Sequence, residues 1–370
     1  MIANQFLRRW SLLIVLLGFT CASLFSSTGY ADAAPDECVL IECEHFDDYG
    51  GWSDDSQFID QMGSTYLLAH GLGNPVEDAK TTVAIPSAGT YRVWARTRDW
   101  VATWNAPGAP GRFEITVNGK TLDAKFGTEG AEWHWQDGGL VEIDGTSADV
   151  ALHDLTGFEG RCDAILFVPG RLQFTPPDAG PALTSLRREL LDIPEEPEDA
   201  GEYDLVVVGG GIAGVCSAVS AARCGLSVAL IQDRPVLGGN NSSEVRVWLQ
   251  GGRNIPPYPR VGDIVAEMEQ ARHAHYGPSN TADLYEDEKK IDLVEAEPNI
   301  DLRLMHRAVD VEMDGSRIAA VIAVQTHTGH SYRFTSRLVA DCTGDGCLAP
   351  LAGADYEMSV PGHMGKCNLW

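Results

Sequence analysis

The alternation of apolar and polar residues predicts two kinds of architecture along the chain. From residue 36 to residue 170, apolar positions recur with a period of two, which is typical of half-buried β-strands. Such runs occupy residues 39–43, 90–95, 112–117 and 149–152. Turn signals such as Asn118-Gly119 separate the runs, and no long helical period interrupts them. The pattern predicts an all-β sandwich over residues 36–170.

A different pattern begins at residue 203, where a strand runs directly into a helix. Residues 205–208 are apolar, residues 209–214 read Gly-Gly-Gly-Ile-Ala-Gly, and small residues continue at helical spacing to about Cys224. A second predicted strand follows at residues 227–231, apolar from residue 228 onward. Strand, glycine turn, helix and strand in this order are typical of a βαβ unit that binds a dinucleotide.

Each glycine of this turn has a separate physical role. Gly209 permits the tight turn, Gly211 lets the backbone approach a diphosphate, and Gly214 lets helix and strand pack closely. The helix then begins with Ile212 and Ala213, at the end that carries partial positive charge. We therefore predict that these five residues bind the dinucleotide diphosphate.

The ribose-binding position lies at the end of the second strand, about 20 residues beyond the glycines. Gln232 occupies it, where an acid is usual, and Asp233 and Arg234 follow. An amide can bond ribose hydroxyls, although without the added strength of a carboxylate. Arg234 would suit the 2′-phosphate of NADP, whereas the neighbouring Asp233 would repel it, so the pair disfavours NADP.

Two further segments favour a flavin. The loop at residues 234–243 is rich in small polar residues, and a strand at residues 337–340 ends in Asp-Cys-Thr-Gly-Asp-Gly. Gly344 permits close backbone approach to a ligand, and Asp345 offers a carboxylate to sugar-like hydroxyls. An ordinary Asp/Gly turn would explain the second segment alone, but its pairing with the upstream glycines favours a cofactor site. The loop supplies three further candidates, Gly238, Gly239 and Asn240.

Residues 203–356 resemble the FAD-dependent oxidoreductase family of the glutathione-reductase structural type. The matching stretches are VVVGGGIAG, LIQDRPVLGGNNS and ADCTGDGCLAPLAGADY. The resemblance implies an α/β Rossmann-like FAD-binding domain over residues 203–370, with FAD as the cofactor. Residues 300–337 alternate around two turn signals, which predicts the β-meander insertion that such flavoproteins carry.

The same resemblance distributes the candidate residues along FAD. It implies that the three turn glycines wrap the diphosphate and that the region of Gln232 meets the adenosine ribose. It also implies that Asp345 meets the ribityl chain. The residues placed near the diphosphate or the flavin are Gly238, Gly239 and Asn240.

The composition excludes several classes of partner. The formal net charge is −26 over 370 residues, which argues against nucleic acid and anionic membrane surfaces. No metal-binding spacing and no Cys-x-x-Cys occur, so no metal site is predicted. Cys43 and Cys162 lie on predicted apolar strands, where either one disulfide or two buried thiols would fit.

Residues 1–33 have the pattern of a secretory signal peptide. Two arginines precede the apolar run 12–19, and an Ala-Asp-Ala cleavage site ends at residue 33. The apolar run is short for a membrane span. We therefore predict export to the periplasm or the medium, by either the general secretory or the twin-arginine route, with no membrane span after signal removal.

Tryptophans are concentrated in the predicted sandwich, at Trp52, Trp94, Trp100, Trp104, Trp133 and Trp135. Trp100 and Trp104 stand among proline and glycine, which indicates a loop. Exposed rings have a flat apolar face that a sugar can stack on, so this loop is a candidate carbohydrate site, whereas the core is the favoured place for the other rings. The layout is similar to galactose-binding-like and carbohydrate-binding jelly rolls.

The remaining segments set the domain boundaries. Residues 171–202, with a Pro-Pro pair, a short amphipathic helix and an acidic stretch, predict a linker. Residues 261–275 and 283–297 predict helices. The chain stops soon after the second glycine motif, so we expect residues 203–370 to be an incomplete flavin domain and assign no catalytic residues.

The leading hypothesis is an exported FAD-dependent oxidoreductase that transfers hydride to flavin from an unidentified substrate, for which a carbohydrate-related molecule is a candidate. One alternative is a secreted carbohydrate-binding protein with a catalytically silent dinucleotide-binding domain. Another is an NAD(P)-dependent enzyme that acts on polysaccharide. The expected partner is a small-molecule or carbohydrate substrate, while the electron acceptor and the oligomeric state are not encoded in these patterns.

Overall fold

The computed structural model describes residues 37–357, and within them the protein is largely β, with four sheets. The predicted signal peptide lies outside the described residues. The first eleven strands are β1 (Val39–Glu42), β2 (Ser53–Asp55), β3 (Tyr66–His70), β4 (Ala79–Ala84), β5 (Gly89–Thr97), β6 (Phe113–Val117), β7 (Lys120–Thr121), β8 (His134–Ile143), β9 (Ser147–Asp154), β10 (Phe158–Cys162) and β11 (Ala164–Pro169). One short helix, α1 (Ile59–Met62), lies between β2 and β3.

These strands form three antiparallel sheets with the orders β1-β11-β5-β8, β10-β3-β2 and β4-β9-β6-β7. Their alternate apolar side chains share one buried core, in which the rings of Trp52 and Phe113 meet edge to face at 5.6 Å. Because side chains of a strand alternate between faces, the period of two seen in the sequence produces this one-sided burial.

Cys43 and Cys162 meet inside this core. Their sulfur atoms lie 3.4 Å apart, and both residues are fully buried. The structure holds them as two free thiols, which is one of the two predicted alternatives. Burial, together with the neighbouring Cys162 thiol, raises the pKa of Cys43 well above its usual range.

The helix α2 (Gly180–Leu191), in the segment predicted as a linker, packs on the sandwich. Its Leu183 and Leu186 are buried against Leu40, Leu166 and Trp135. The amphipathic spacing that predicts this helix therefore serves to cover an apolar face of β1 and β11.

Arg187 of α2 enters a buried acidic cluster of the sandwich. Its guanidinium donates to the Glu42 carboxylate at 2.6 Å, and Glu44 and Asp163 are buried in the same cluster. Asp163 in turn pairs with the buried Arg96 at 2.7 Å. Burial raises the pKa of Glu42 to about 7 and that of Glu44 well above its usual range. Buried charge as well as apolar packing thus holds α2.

The rest of the described chain surrounds a fourth, six-stranded sheet of order β14-β13-β12-β17-β16-β15. Its strands are β12 (Glu198–Val208), β13 (Val228–Ile231), β14 (Ile300–Arg303), β15 (His306–Asp314), β16 (Arg317–Gln325) and β17 (Ser331–Asp341). The helices are α3 (Ile212–Arg223), α4 (Asp263–Met268), α5 (Asp287–Glu295) and α6 (Leu348–Leu351). β12, α3 and β13 form the predicted strand–helix–strand unit, with β12 and β13 parallel.

The segment predicted as a β-meander is divided between the two edges of this sheet. β15, β16 and β17 are consecutive antiparallel neighbours, as a meander requires. β14, however, pairs in parallel with β13 at the opposite edge. The prediction was wrong for residues 300–303, because period-two alternation does not distinguish a parallel edge strand from an antiparallel one.

No helix in residues 37–357 combines the length and apolar content needed to cross a membrane.

Candidate active site

The predicted cofactor residues lie at the carboxyl ends of three neighbouring parallel strands of the six-stranded sheet. β12 runs parallel to β13 on one side and to β17 on the other. Val208 is in register with Ile231 and with Asp341. The segments that follow these three residues therefore start side by side, where a doubly wound sheet binds its ligand.

Two glycines of the turn are required by the fold itself. Gly209 has a φ of 98°, and a Cβ there would lie 2.6 Å from the carbonyl of Cys342. A Cβ on Gly214 would lie 1.8 Å from the carbonyl oxygen of Gly209. Both contacts are with backbone, which cannot move aside, so any side chain at these positions displaces β12, α3 or the loop after β17.

Gly211 and Gly344 differ from these, because a Cβ at either would meet no atom within 4 Å. Gly211 is the N-cap of α3, and Ile212 and Ala213 form the first turn, whose amides have no partner inside the helix. At Gly211, therefore, neither packing nor a positive φ requires a glycine. An open cradle of backbone donors suits the diphosphate of a dinucleotide, so the residues present fit FAD.

Gln232 is buried and bound at both ends of its amide. Its Oε1 accepts from the Gly210 amide at 2.7 Å, and its Nε2 donates to the Val236 carbonyl at 3.1 Å. The side chain therefore braces the glycine turn against the next loop. One lone pair and one N–H remain for a ligand, and the ribose contact stays a prediction.

Asp233 and Arg234 are both engaged with other charged groups. The Asp233 carboxylate lies 3.4 Å from the guanidinium of Arg307. Arg234 forms a two-pronged pair with Glu244, at 2.8 and 3.0 Å, and donates to the hydroxyl of Ser56. A guanidinium satisfied in this way is poorly placed to recognise the extra phosphate of NADP.

The loop after β13 is bonded to the glycine turn. Gly238 donates to the Gly210 carbonyl at 2.8 Å, and a Cβ on Gly239 would lie 3.2 Å from the Cα of Gly211. Asn240 is exposed beside them in the single-turn helix Gly239–Asn241. The structure therefore places Gly238, Gly239 and Asn240 next to the glycine turn, and their contact with the cofactor stays a prediction.

Lys290 of α5 supports this loop, and sequence reasoning missed it. The residue is fully buried, with its methylenes under Gly238 and its ammonium bonded to the Tyr285 carbonyl at 2.6 Å. Burial lowers its pKa, against the attraction of Asp287. A lysine in a charged helix is usually solvated, and no pattern in the sequence marks this one as buried.

The loop after β17 is organised by the Asp341 carboxylate, which sequence reasoning did not single out. The Asp341 carboxylate accepts from the Thr343 hydroxyl at 2.6 Å and from the Leu348 amide at 2.9 Å. Gly344 and Asp345 lie exposed at the tip of the loop that it holds. An acid at the last position of a parallel strand was the available signal, since its carboxylate can accept from the loop that follows. Among residues 37–357, no set of three ligating side chains could hold a metal ion.

Comparison with known proteins identifies the second part of the chain. Residues 204–366 match the family model of the FAD-dependent oxidoreductases. The 3-oxosteroid 1-dehydrogenase of Mycolicibacterium smegmatis is 37% identical over 90 residues, which cover 23% of this chain and 16% of that enzyme. The chain thus aligns with only a small part of the length of this relative.

Two solved structures are weaker likenesses. A family 35 carbohydrate-binding module from Clostridium thermocellum is 16% identical with a TM-score of 0.29, over 36% of this chain and 98% of the module. A myxobacterial FAD-dependent chondrochloren halogenase is 18% identical with a TM-score of 0.27, over 40% of this chain and 38% of the halogenase. TM-scores this low do not establish a shared fold.

The family match confirms both the resemblance and the cofactor predicted from the glycine motifs. Residues 204–366 of this chain match the FAD-dependent oxidoreductase family, and the cofactor that this match supports is FAD.

Proposed function

We propose that this protein is an exported oxidoreductase that uses FAD to oxidise a small-molecule or carbohydrate-related substrate. The observation that carries the proposal is the open cradle at Gly211, with Gly239 beside it and the α3 amides behind it. In this proposal residues 203–370 form a Rossmann-like domain, residues 36–170 a jelly-roll-like sandwich, and residues 171–202 their connection. Residues 1–33 direct export.

Bound FAD supplies the acceptor for a hydride taken from a substrate C–H bond. The chain's own residues bind and orient it. The amides at the start of α3 donate to the diphosphate, and the loop from Gly238 to Asn240 borders the same cradle. Gln232 and Asp341 fix the two loops between which the cofactor extends. No side chain is assigned to substrate, because the candidate residues all belong to the cofactor cradle.

Purified protein is expected to bind FAD and to show the flavin absorption bands in the near ultraviolet and the blue. The measurement is a titration of the cofactor-depleted full chain with FAD, followed by gel filtration and an absorption spectrum. NADP serves as a control and should not compete, since Arg234, which could otherwise recognise its 2′-phosphate, is held by Glu244. A protein that retains no flavin after the titration would contradict the proposal.

A sugar-binding role for the sandwich is a second candidate, supported by two tryptophans. Trp104 is 67% exposed, and its ring lies 5.7 Å from that of Trp100. Trp100 is held in place by a bond from its indole N–H to the Phe158 carbonyl at 3.1 Å and by Arg161 against its ring. One fixed and one exposed ring provide a surface on which a sugar could stack.

Replacement of Trp104 by alanine is expected to weaken glycan binding about fivefold or more and to leave FAD binding unchanged. If the exposed ring contributes about 1 kcal/mol, as an aromatic contact does, its loss corresponds to this change in affinity. A glycan array probed with the full chain and with W104A tests this. L140A, which removes another exposed apolar side chain, on β8, is the control. Wild-type protein that binds no glycan removes this second candidate.

A further inference from the structure

Outside the glycine cradle, a cavity of about 490 Å³ lies where the sandwich meets the six-stranded sheet. Ile59, Asp60 and Gly63 line it from the sandwich, at and just after α1. Arg307 and Val309 of β15 line the opposite side. Its volume is in the range of small-molecule sites.

Two contacts connect the lining of the cavity to the segments that form the cradle. Arg307 touches Asp233 at 3.4 Å, one residue beyond the position predicted to meet the ribose. Cys347, which also lines the cavity, is bonded through its amide to the Thr343 hydroxyl at 2.9 Å. Thr343 belongs to the loop that packs against Gly209. A dinucleotide with its diphosphate on Gly211 and its ribose near Asp233 would therefore direct its base into this space.

The chemistry of the cavity suits a flat aromatic base. Ile59, Val309 and Leu351 supply apolar surface, and the Arg307 guanidinium lies at its border with Asp60 at 2.9 Å. A guanidinium held in this way can stack on a base or donate to its ring nitrogens. The sandwich therefore supplies Ile59 to the apolar lining and, in Asp60, one of the two carboxylates that contact Arg307.

The sandwich is also fixed in position against this sheet. The Thr65 amide donates to the Thr326 carbonyl at 3.0 Å, and His327 bonds Asp54 at 2.8 Å. These contacts flank α1 along the chain on both sides. These two hydrogen bonds consequently hold α1 in place against the cavity.

We propose that α1 of the sandwich forms one wall of the adenosine pocket, so that the sandwich helps to determine FAD affinity. This inference rests on the proposed FAD site. It assigns Asp60 and Arg307 as positioning residues for the adenosine half of the cofactor.

Two tryptophan substitutions in α1 test the proposal. D60W places a large ring at the mouth of the cavity, whereas Q61W places the same ring on the adjacent exposed residue, which does not line it. Titrations of the full-length variants with FAD, followed by flavin fluorescence, and with ADP, followed by calorimetry, give the dissociation constants. We expect both constants to rise about tenfold or more for D60W and to change less than about twofold for Q61W.

A third variant, V309W, and the melting temperatures of all three variants distinguish failure of this inference from failure of the proposed function. V309W narrows the same cavity from β15 and should weaken both ligands as D60W does. If V309W weakens ADP but D60W, with a wild-type melting temperature, does not, then α1 is not a wall of the pocket and the inference is overturned. If all variants bind like wild type, the cavity is not the adenosine site. If wild-type protein binds neither FAD nor ADP, the proposed function itself fails.

Discussion

Replacement of Gly211 by valine should abolish FAD binding without unfolding the protein. A Cβ at this position meets nothing within 4 Å, and the backbone, with φ of −63° and ψ of 175°, suits any residue. The isopropyl group would instead occupy the space through which a diphosphate reaches the amides of α3. We expect the dissociation constant for FAD to rise roughly 100-fold or more, since the α3 amides are the electrostatic centre of the site.

Thermal unfolding of G211V measures the stability of its fold, and a titration with FAD measures its dissociation constant. The cost to the fold should stay below about 1 kcal/mol, which is typical of an altered N-cap. The matched control is G145V, at an exposed turn glycine that also has open space around its Cβ. A G211V protein that binds FAD as tightly as G145V would place the diphosphate elsewhere. G214V, by contrast, should fail to fold, because its side chain would collide with the Gly209 carbonyl.

The second large effect is expected on stability, from replacing Arg187 by methionine. This change keeps most of the apolar length of the side chain but removes the counter-ion of Glu42. Removal of one partner of a buried ion pair costs about 3–5 kcal/mol where the remaining acid is charged, because Glu42 then lies buried without a counter-ion. Urea unfolding of R187M against wild type measures the loss. R188M, one residue along α2 and only half-buried, should change stability by less than about 0.5 kcal/mol.

The penalty of R187M should depend on pH in a defined direction. Burial raises the pKa of Glu42 in the folded protein from 4.5 to about 7. An acid shifted in this sense stabilises the fold fully below its unfolded pKa and loses that contribution as the pH rises through its folded pKa. Without Arg187 the folded pKa rises further, so the destabilisation should be larger near about pH 8 than near about pH 5. A penalty that is constant across this range would show that Glu42 is not the group left uncompensated.

Local signals in the sequence were sufficient to predict the strand, turn and helix of the cradle. Gly214 is required by its close approach to Gly209, and Gly209 by its close approach to the loop that follows the adjacent strand β17. The spacing of the two glycines can therefore be recognised in the sequence. The predicted helix at residues 261–275 was too long, since the structure ends α4 at Met268. Apolar spacing marked where that helix begins, but not the tertiary environment in which it stops.

The side chains that sequence reasoning assigned least well are those that depend on distant partners. Gln232 occupies the ribose position, yet its amide is used to brace the turn. Arg307 meets Asp60, 247 positions away in the chain. The contact of Arg307 with Asp60 depends on how the sandwich packs against the sheet, and the periodicity of neither segment predicts that packing.

The bonds from Thr65 to Thr326 and from Asp54 to His327 have an evolutionary consequence. Modules that fold separately on a flexible tether can be exchanged between proteins with little penalty. Here the segment from β2 to β3 meets the β16–β17 turn directly, so a foreign module grafted in place of the sandwich would leave these groups facing unsuitable neighbours. The two halves of this chain are therefore expected to diverge together, with changes in one selecting compensating changes in the other.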